Sequence, residues 1–229
     1  MLRGILQNDL FYCNHLGMSD QDEQDIKNFT VRDKKGAGLL EYIRYYAFPE
    51  EDAGIMRTYM VRDNRTSELV GYFSLKAGLI SLNEREEVFV DSQTGEEKKK
   101  AVFDTLPGVE LANFAVNHSY VKANPGMKGV GQVIFDSFIV PIIRQSSESI
   151  GIKILYLFAL PYQDLISRYE DYGFSRLDNP YEDQLHSRLK PFYEIPVNSC
   201  ILFFDYSASA VFFRLRRRFL SPPVWRSNE

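Results

Sequence analysis

Cysteine is scarce in this chain of 229 residues, with only two, Cys13 and Cys200. They lie far apart and outside any CxxC spacing, which argues against a disulfide framework or a zinc site and points to a reducing compartment. Long apolar runs are missing too: no stretch reaches the ~18 residues a membrane span needs. Asn8 and Asp9 interrupt the first apolar residues before a secretory core can form, so a cytoplasmic protein without a membrane span is expected. Net positive charge is also absent, since 27 Lys and Arg stand against 31 Asp and Glu for a formal charge of -4. Bulk charge therefore does not draw nucleic acid or an anionic membrane, and any basic binding face must be local. There is no internal repeat, no low-complexity tract and no metal-ligand pattern, so no metal is expected.

What is present is an ordinary globular composition, 45% hydrophobic and 25% charged, enough for one main domain. Residues 19–48 carry Leu39, Leu40, Ile43 and Tyr46 at helical spacing, with Ser19 and Asp20 as candidate caps, and read as N-terminal helices. From Met56 the pattern becomes strand-like. RTYMVRD and LVGYFSLKA flank the polar turn NRTSE and form an antiparallel pair. VELANFAVN, residues 109–117, alternates so that Leu111, Asn113, Ala115 and Asn117 face one way and Ala112, Phe114 and Val116 the other. The charged stretch QTGEEKKK reads as a solvated hairpin turn or loop insertion. A helix follows Gly131, with Pro141 as its expected kink. The apolar run IKILYLFAL reads as a strand buried on both faces, residues 162–172 as a helix capped by Gly173, and SCILFFDY as a last strand.

Three glycines, Gly126, Gly129 and Gly131, fall within six positions at the start of the central helix. A helix start exposes unsatisfied amides at the positive end of its dipole, and glycines let an anion lie against them. A P-loop needs Gly-Lys-Ser/Thr, but Gly131 is followed by Gln132 and Val133. A dinucleotide fingerprint needs a third spaced glycine and an acidic ribose partner, and neither is in place.

Taken together, Leu111, Phe114 and Val116 on one strand, the loop GMKGVG, and Tyr169 followed by three residues and then Gly173-Phe174 resemble the GNAT family of acetyltransferases over residues 55–206. The resemblance implies an α/β fold with a mixed, mostly antiparallel central sheet, one parallel splayed strand pair and flanking helices. It makes residues 1–206 a single domain and 207–229 a tail. It also implies acetyl-CoA as cosubstrate and direct transfer to a primary amine. The backbone of Phe114, Ala115 and Val116 would pair with the pantetheine arm, and amides of Met127, Lys128, Gly129, Val130, Gly131 and Gln132 would hold the pyrophosphate. Tyr169 would be the general acid, because a phenol stays protonated at neutral pH and can donate to a departing thiolate.

The base is left open between Glu110 and water, and Asn113 and His118 are placed at the border of the acceptor site. The acceptor itself is not named by the sequence. Some bacterial members of the family acetylate aminoacyl-tRNA, a substrate that calls for a basic face, and a homodimer is compatible with the fold. A CoA-binding or protein-interaction module without catalysis is the alternative. It is motivated by the shifted entry to the glycine loop, where the added VKANP lengthens and loosens the approach and Gly126 stands where the family has Gln or Arg; a second departure is Tyr162 in place of a common Asn, which bears on cofactor affinity and acceptor geometry. The segments 79–108 and 175–198 would shape the acceptor pocket, with Glu84, Glu86, Glu87, Asp178, Glu182 and Asp183 attracting a cationic amine. In the tail, Arg214, Arg216, Arg217 and Arg218 stand among aromatics, as a solvated tail or as an RNA- or membrane-surface contact.

Overall fold

The computed structural model describes residues 6–178, 181–183 and 200–205, with only the backbone considered at 82–84. The tail, with its arginines, lies outside the described residues. Strands β1 (Leu6–Gln7) and β2 (Phe11–His15) precede helices α1 (Asp22–Asn28), α2 (Ala37–Glu41) and α3 (Ala47–Asp52). Then come β3 (Arg57–Asp63), the long β4 (Leu69–Val90) and β5 (Glu97–Val116), α4 (His118–Ala123), α5 (Val130–Ile134), α6 (Val140–Ser147), β6 (Ile154–Ala159), α7 (Gln163–Asp171), β7 (Ser175–Arg176) and β8 (Cys200–Asp205). The eight strands form one sheet in the order β1-β2-β3-β4-β5-β6-β8-β7. Every pairing is antiparallel except β5 with β6. This is the mixed α/β sheet expected from the motifs.

The two faces are filled separately. Phe73, Leu75, Leu111, Ile134, Phe135, Phe138, Ile139, Ile143 and Ile166 form a core between the sheet and α5 to α7. On the opposite face Met60, Tyr72 and Ala115 pack against Ile26, Phe29, Ile43 and Ala47 of the N-terminal helices. Among the described residues no helix is long and apolar enough to cross a membrane.

Local structure departs from the sequence pattern where an extra residue enters. Asn113 pairs with Ser74 but Leu111 pairs with Leu75, so Ala112 is an unpaired bulge. Strict alternation is therefore lost: Leu111 joins Phe114 and Val116 on the α5 to α7 face, while Ala112 and Ala115 share the other. A π turn at Tyr42–Tyr46 likewise rotates the helix face, burying Ile43 and leaving Tyr46 51% exposed. A second π turn, Phe135–Ile139, precedes Pro141 and absorbs its missing donor within an otherwise continuous helical run. Ser19 and Asp20 are not caps. Gln21 holds that position without a side-chain bond, and Ser19 Oγ accepts from its backbone N at 3.2 Å.

The segment 79–108 is a two-stranded ribbon closed by a turn at Gly95, whose φ is +71°. In QTGEEKKK the turn ends at Glu96, and strand pairing resumes at Glu97. α7 ends as read: Gly173 takes φ +95°, and its amide and that of Phe174 donate back to Glu170 and Tyr169.

Candidate active site

The parallel pairing of β5 with β6 covers three residues only, Gly108, Val109 and Glu110 against Ile154, Leu155 and Tyr156. Beyond Glu110 the strands part. From Leu111 to Val116 the edge of β5 opposite β4 is paired with no strand among the described residues. A backbone edge in the sheet plane offers alternating amides and carbonyls to an extended ligand, as an edge strand does to a peptide. Phe114, Ala115 and Val116 lie on that open edge.

The glycine loop follows at the C-terminal end of the same strand. Gly129, at φ +68°, is the residue before α5, and Val133 donates the first helical bond back to its carbonyl at 3.0 Å. The amides of Val130, Gly131 and Gln132 are first-turn positions without helical acceptors. Lys128 is exposed beside them. Gln132 turns its side chain to Asp136, donating at 2.8 Å, so only its backbone faces the loop. Gly126, Met127 and Lys128 also line a cavity of about 230 Å³ with Leu10 and Phe11. A larger groove of about 480 Å³ lies on the outer surface of the N-terminal helices, among Glu23, Lys27, Arg44 and Tyr45. It is not part of the splay.

The approach to the loop is fastened. VKA is the end of α4, whose first turn is capped by Asn117 Oδ1 accepting from Ser119 N at 3.2 Å. Tyr120, buried, donates to Asp63 Oδ2 at 2.5 Å, Asn124 Nδ2 donates to the Tyr120 carbonyl, and Met127 N donates to the Asn124 carbonyl. The approach is longer, as read, but it is not loose: Val121 to Ala123 of the added stretch are helical, and the turn is tied to β3 through Tyr120.

The three glycines have different reasons. Gly129 is required by its dihedral angle, and a Cβ at Gly126 would meet nothing within 4 Å. At Gly131 an added Cβ would stand 2.7 Å from the hydroxyl of Tyr172, from the end of α7. The Tyr172 ring cannot simply retreat, because it stacks on Phe135 with centroids 5.1 Å apart and planes at 19°. Gly131→Ala is expected to destabilise the helix start by about 1–3 kcal/mol and to weaken acetyl-CoA binding. Adding Tyr172→Phe should recover most of the loss, since the next neighbour of that Cβ, Val116 Cγ2, is 3.7 Å away. A double-mutant cycle read by denaturant unfolding and calorimetry checks this. A double variant no better than Gly131→Ala alone would refute the contact.

Tyr169 is half-buried on α7, edge-on to Tyr172 at 5.9 Å and to Phe174 at 5.6 Å. Burial pushes its phenol well above the ordinary tyrosine range, so it is a proton donor across the neutral range. Tyr172 is shifted up for the same reason.

On the other face, at the vertex of the splay, stands Glu110. It is 3% exposed, its Oε1 is buried with no hydrogen-bond partner among the described residues, and Lys76 Nζ is 3.8 Å from Oε2. Burial pushes this carboxyl up to about 7, with Lys76 opposing the shift. Glu110 is thus a buried carboxyl and not a solvated charge at the start of a strand. Asn113 lies one bulge further on, half-buried, beside a hydroxyl chain in which Tyr42 and Ser74 each reach Thr58, at 3.3 and 3.0 Å. His118 opens α4, its amide donating to the Thr30 carbonyl at 2.9 Å, in a seam between helices rather than at the vertex.

Of the acids expected to attract an amine, Glu182 is bound by Arg176 through two hydrogen bonds and accepts from Ile201 N. Glu86 pairs with Lys99 and Glu87 with Arg85 out on the ribbon. Asp178 and Asp183 are exposed. Glu84 lies outside the described side chains. Lys76 and Tyr172 were missed by sequence reasoning, because only the strand register and the packing of α7 bring them to the site.

No family model matches the chain, and no curated protein matches it. Solved structures do. A tyrosine-to-phenylalanine mutant of the AtaT toxin shares 18% identity, with 90% of this chain and 96% of that one covered and a TM-score of 0.59. An AtaT mutant bound to the C-terminus of the antitoxin AtaR and acetyl-CoA shares 16%, with 89% and 97% covered and a TM-score of 0.54. AtaT complexed with acetyl-methionyl-tRNAfMet shares 16%, with 89% and 99% covered and a TM-score of 0.55. At such identities the likeness is one of fold: the chain has the GNAT-like architecture over nearly its whole length.

Proposed function

We propose that this chain is an acetyl-CoA-dependent N-acetyltransferase that moves the acetyl group directly to an amine. The observation that carries the reading is the open edge of β5 between Leu111 and Val116, ending at one side in the amides of α5 and at the other in a buried carboxyl. These groups suit the cosubstrate: free first-turn amides and Lys128 for its phosphates, and an unpaired strand edge for its amide-bearing arm. Acetyl-CoA supplies the thioester carbonyl that an amine attacks. Glu110, in its ionised form, takes the proton from the acceptor's ammonium, and Tyr169 gives its phenolic proton to the departing thiolate. Phe114, Ala115 and Val116 hold the arm in line, and the two covered faces limit water at the vertex.

The AtaT complex with acetyl-methionyl-tRNAfMet makes the α-amine of an aminoacyl-tRNA the first acceptor to test. A local basic group supports it: Arg32, Lys34 and Lys35 are exposed within four positions, and Lys35 reaches the start of α7, 4.1 Å over the Tyr162 ring and 3.6 Å from Asp164. The alternative of a module without catalysis rests on the shifted loop entry, and the helical part of that entry is held by Tyr120 and Asn124, which favours the catalytic reading.

Calorimetry of the purified chain with acetyl-CoA, paired with transfer assays, tests the proposal. Tyr169→Phe is expected to lower turnover about 100-fold while leaving acetyl-CoA affinity within a few-fold. Absence of binding, or full turnover in Tyr169→Phe, would overturn it.

A further inference from the structure

We propose that Lys76 is an internal acetyl acceptor, its amine receiving the acetyl group of acetyl-CoA bound by the same chain beside Glu110. The inference rests on the reading above and names a substrate for that site within the protein itself. The route of the cosubstrate follows from the strand. With phosphates at α5, the arm runs backward along β5 from Val116 towards the point where β6 closes the edge at Glu110. Pantetheine has about thirteen bonds between phosphorus and sulfur, roughly four residues of extended chain at three bonds and ~3.4 Å each. Four residues back from Val116 is the bulge at Ala112. The thioester thus falls at the bulge, two positions from Glu110.

Lys76 is directly across from Glu110 in the β4–β5 register, on the same face, and its side chain is only 14% exposed. Its Nζ, 3.8 Å from Oε2, is where an acceptor ammonium must stand to give up a proton to that carboxylate. Oε1 of Glu110 is buried and has no hydrogen-bond partner among the described residues, which leaves it as a proton acceptor at the vertex. A four-carbon stem lets Nζ move from the carboxylate to the bulge without any backbone change. In the transfer, the Lys76 N–C bond forms and the C–S bond of the thioester breaks. Glu110 takes one ammonium proton before attack, the CoA thiolate takes the phenolic proton of Tyr169, and the second nitrogen proton, released as the amide forms, passes through solvent to the tyrosinate, so the products are acetyl-lysine, free CoA and a protonated Glu110.

The full chain is incubated with acetyl-CoA, and peptide masses are followed in time. The expected result is one acetyl group at Lys76, added with a rate constant independent of protein concentration and about 100-fold smaller in Glu110→Gln. Exposed Lys100 and Lys122 serve as internal references for uncatalysed acetylation. Lys76→Arg keeps the cation and should bind acetyl-CoA without acquiring that label. Binding of acetyl-CoA with Lys76 unmodified, or modified no faster than Lys100 and Lys122, overturns this inference and leaves the transferase reading standing. Failure to bind acetyl-CoA overturns both.

Discussion

Glu110→Gln is expected to lose about 10²- to 10⁴-fold in kcat/KM while making the folded chain more stable at pH 8. Both effects come from one burial. A carboxyl with an ordinary value near 4.5 is pushed up to about 7 because it is desolvated at the vertex, with Lys76 only partly offsetting this. As a base it must be ionised, so kcat/KM should fall as the pH drops below about 7, and the Gln variant should lack that limb. For stability the sign is opposite. The folded state binds this proton more tightly than the unfolded state, so the contribution is complete below about 4.5 and is lost as the pH rises through about 7. At about 1.4 kcal/mol per pH unit the loss is on the order of 3 kcal/mol, and an uncharged Gln avoids it. Denaturant unfolding at pH 5 and pH 8, beside pH–rate profiles of both proteins, gives the two readouts. A variant that keeps wild-type turnover would remove Glu110 from the mechanism, and equal stability of the two proteins at pH 8 would show that the carboxylate is not desolvated.

Arg62→Ala should destabilise the fold by about 3–5 kcal/mol, the usual loss when one partner of a buried ion pair is removed. The guanidinium is 1% exposed and donates to Asp22 at 2.6 Å, to Asp25 at 2.5 Å and to the Ser67 carbonyl at 3.0 Å. Asp22 is equally buried and also accepts from Gly17 N at 2.7 Å. Truncation would leave that carboxylate without its cation under α1 and untie the N-terminal helices from β3. At about 2–4 °C per kcal/mol for a chain of this size, the melting temperature should fall by roughly 10 °C. Replacing Arg62, Asp22 and Asp25 together by apolar residues should lose far less, because neither carboxylate is then left without its cation. A single-variant loss below about 1 kcal/mol would mean that the helices are held by Ile26, Phe29 and Ile43 packing alone.

Which parts of this could be read along the chain depends on the range of the interaction. Strand runs, the helix after Gly131 and the Gly173 cap are local, carried by hydrophobic period and backbone conformation. The order of strand, glycine loop, helix and Tyr169 was enough for the architecture. The bulge at Ala112 was less visible, although the spacing of Leu111, Phe114 and Val116 required it. Alternation and that spacing cannot both hold in an unbroken strand.

By itself the sequence determined the fold class, and it singled out the loop proposed to hold phosphate and the tyrosine proposed to give a proton, because each is written in contiguous residues. Tertiary structure alone decided the rest. Parting of β5 from β6 after Glu110 buries a carboxylate with one oxygen unpartnered among the described residues, the register places Lys76 across from it, and the end of α7 brings the Tyr172 hydroxyl against Gly131. Desolvation and close approach are properties of what surrounds a group in space, and residues 34, 41 or more positions apart supply those surroundings here.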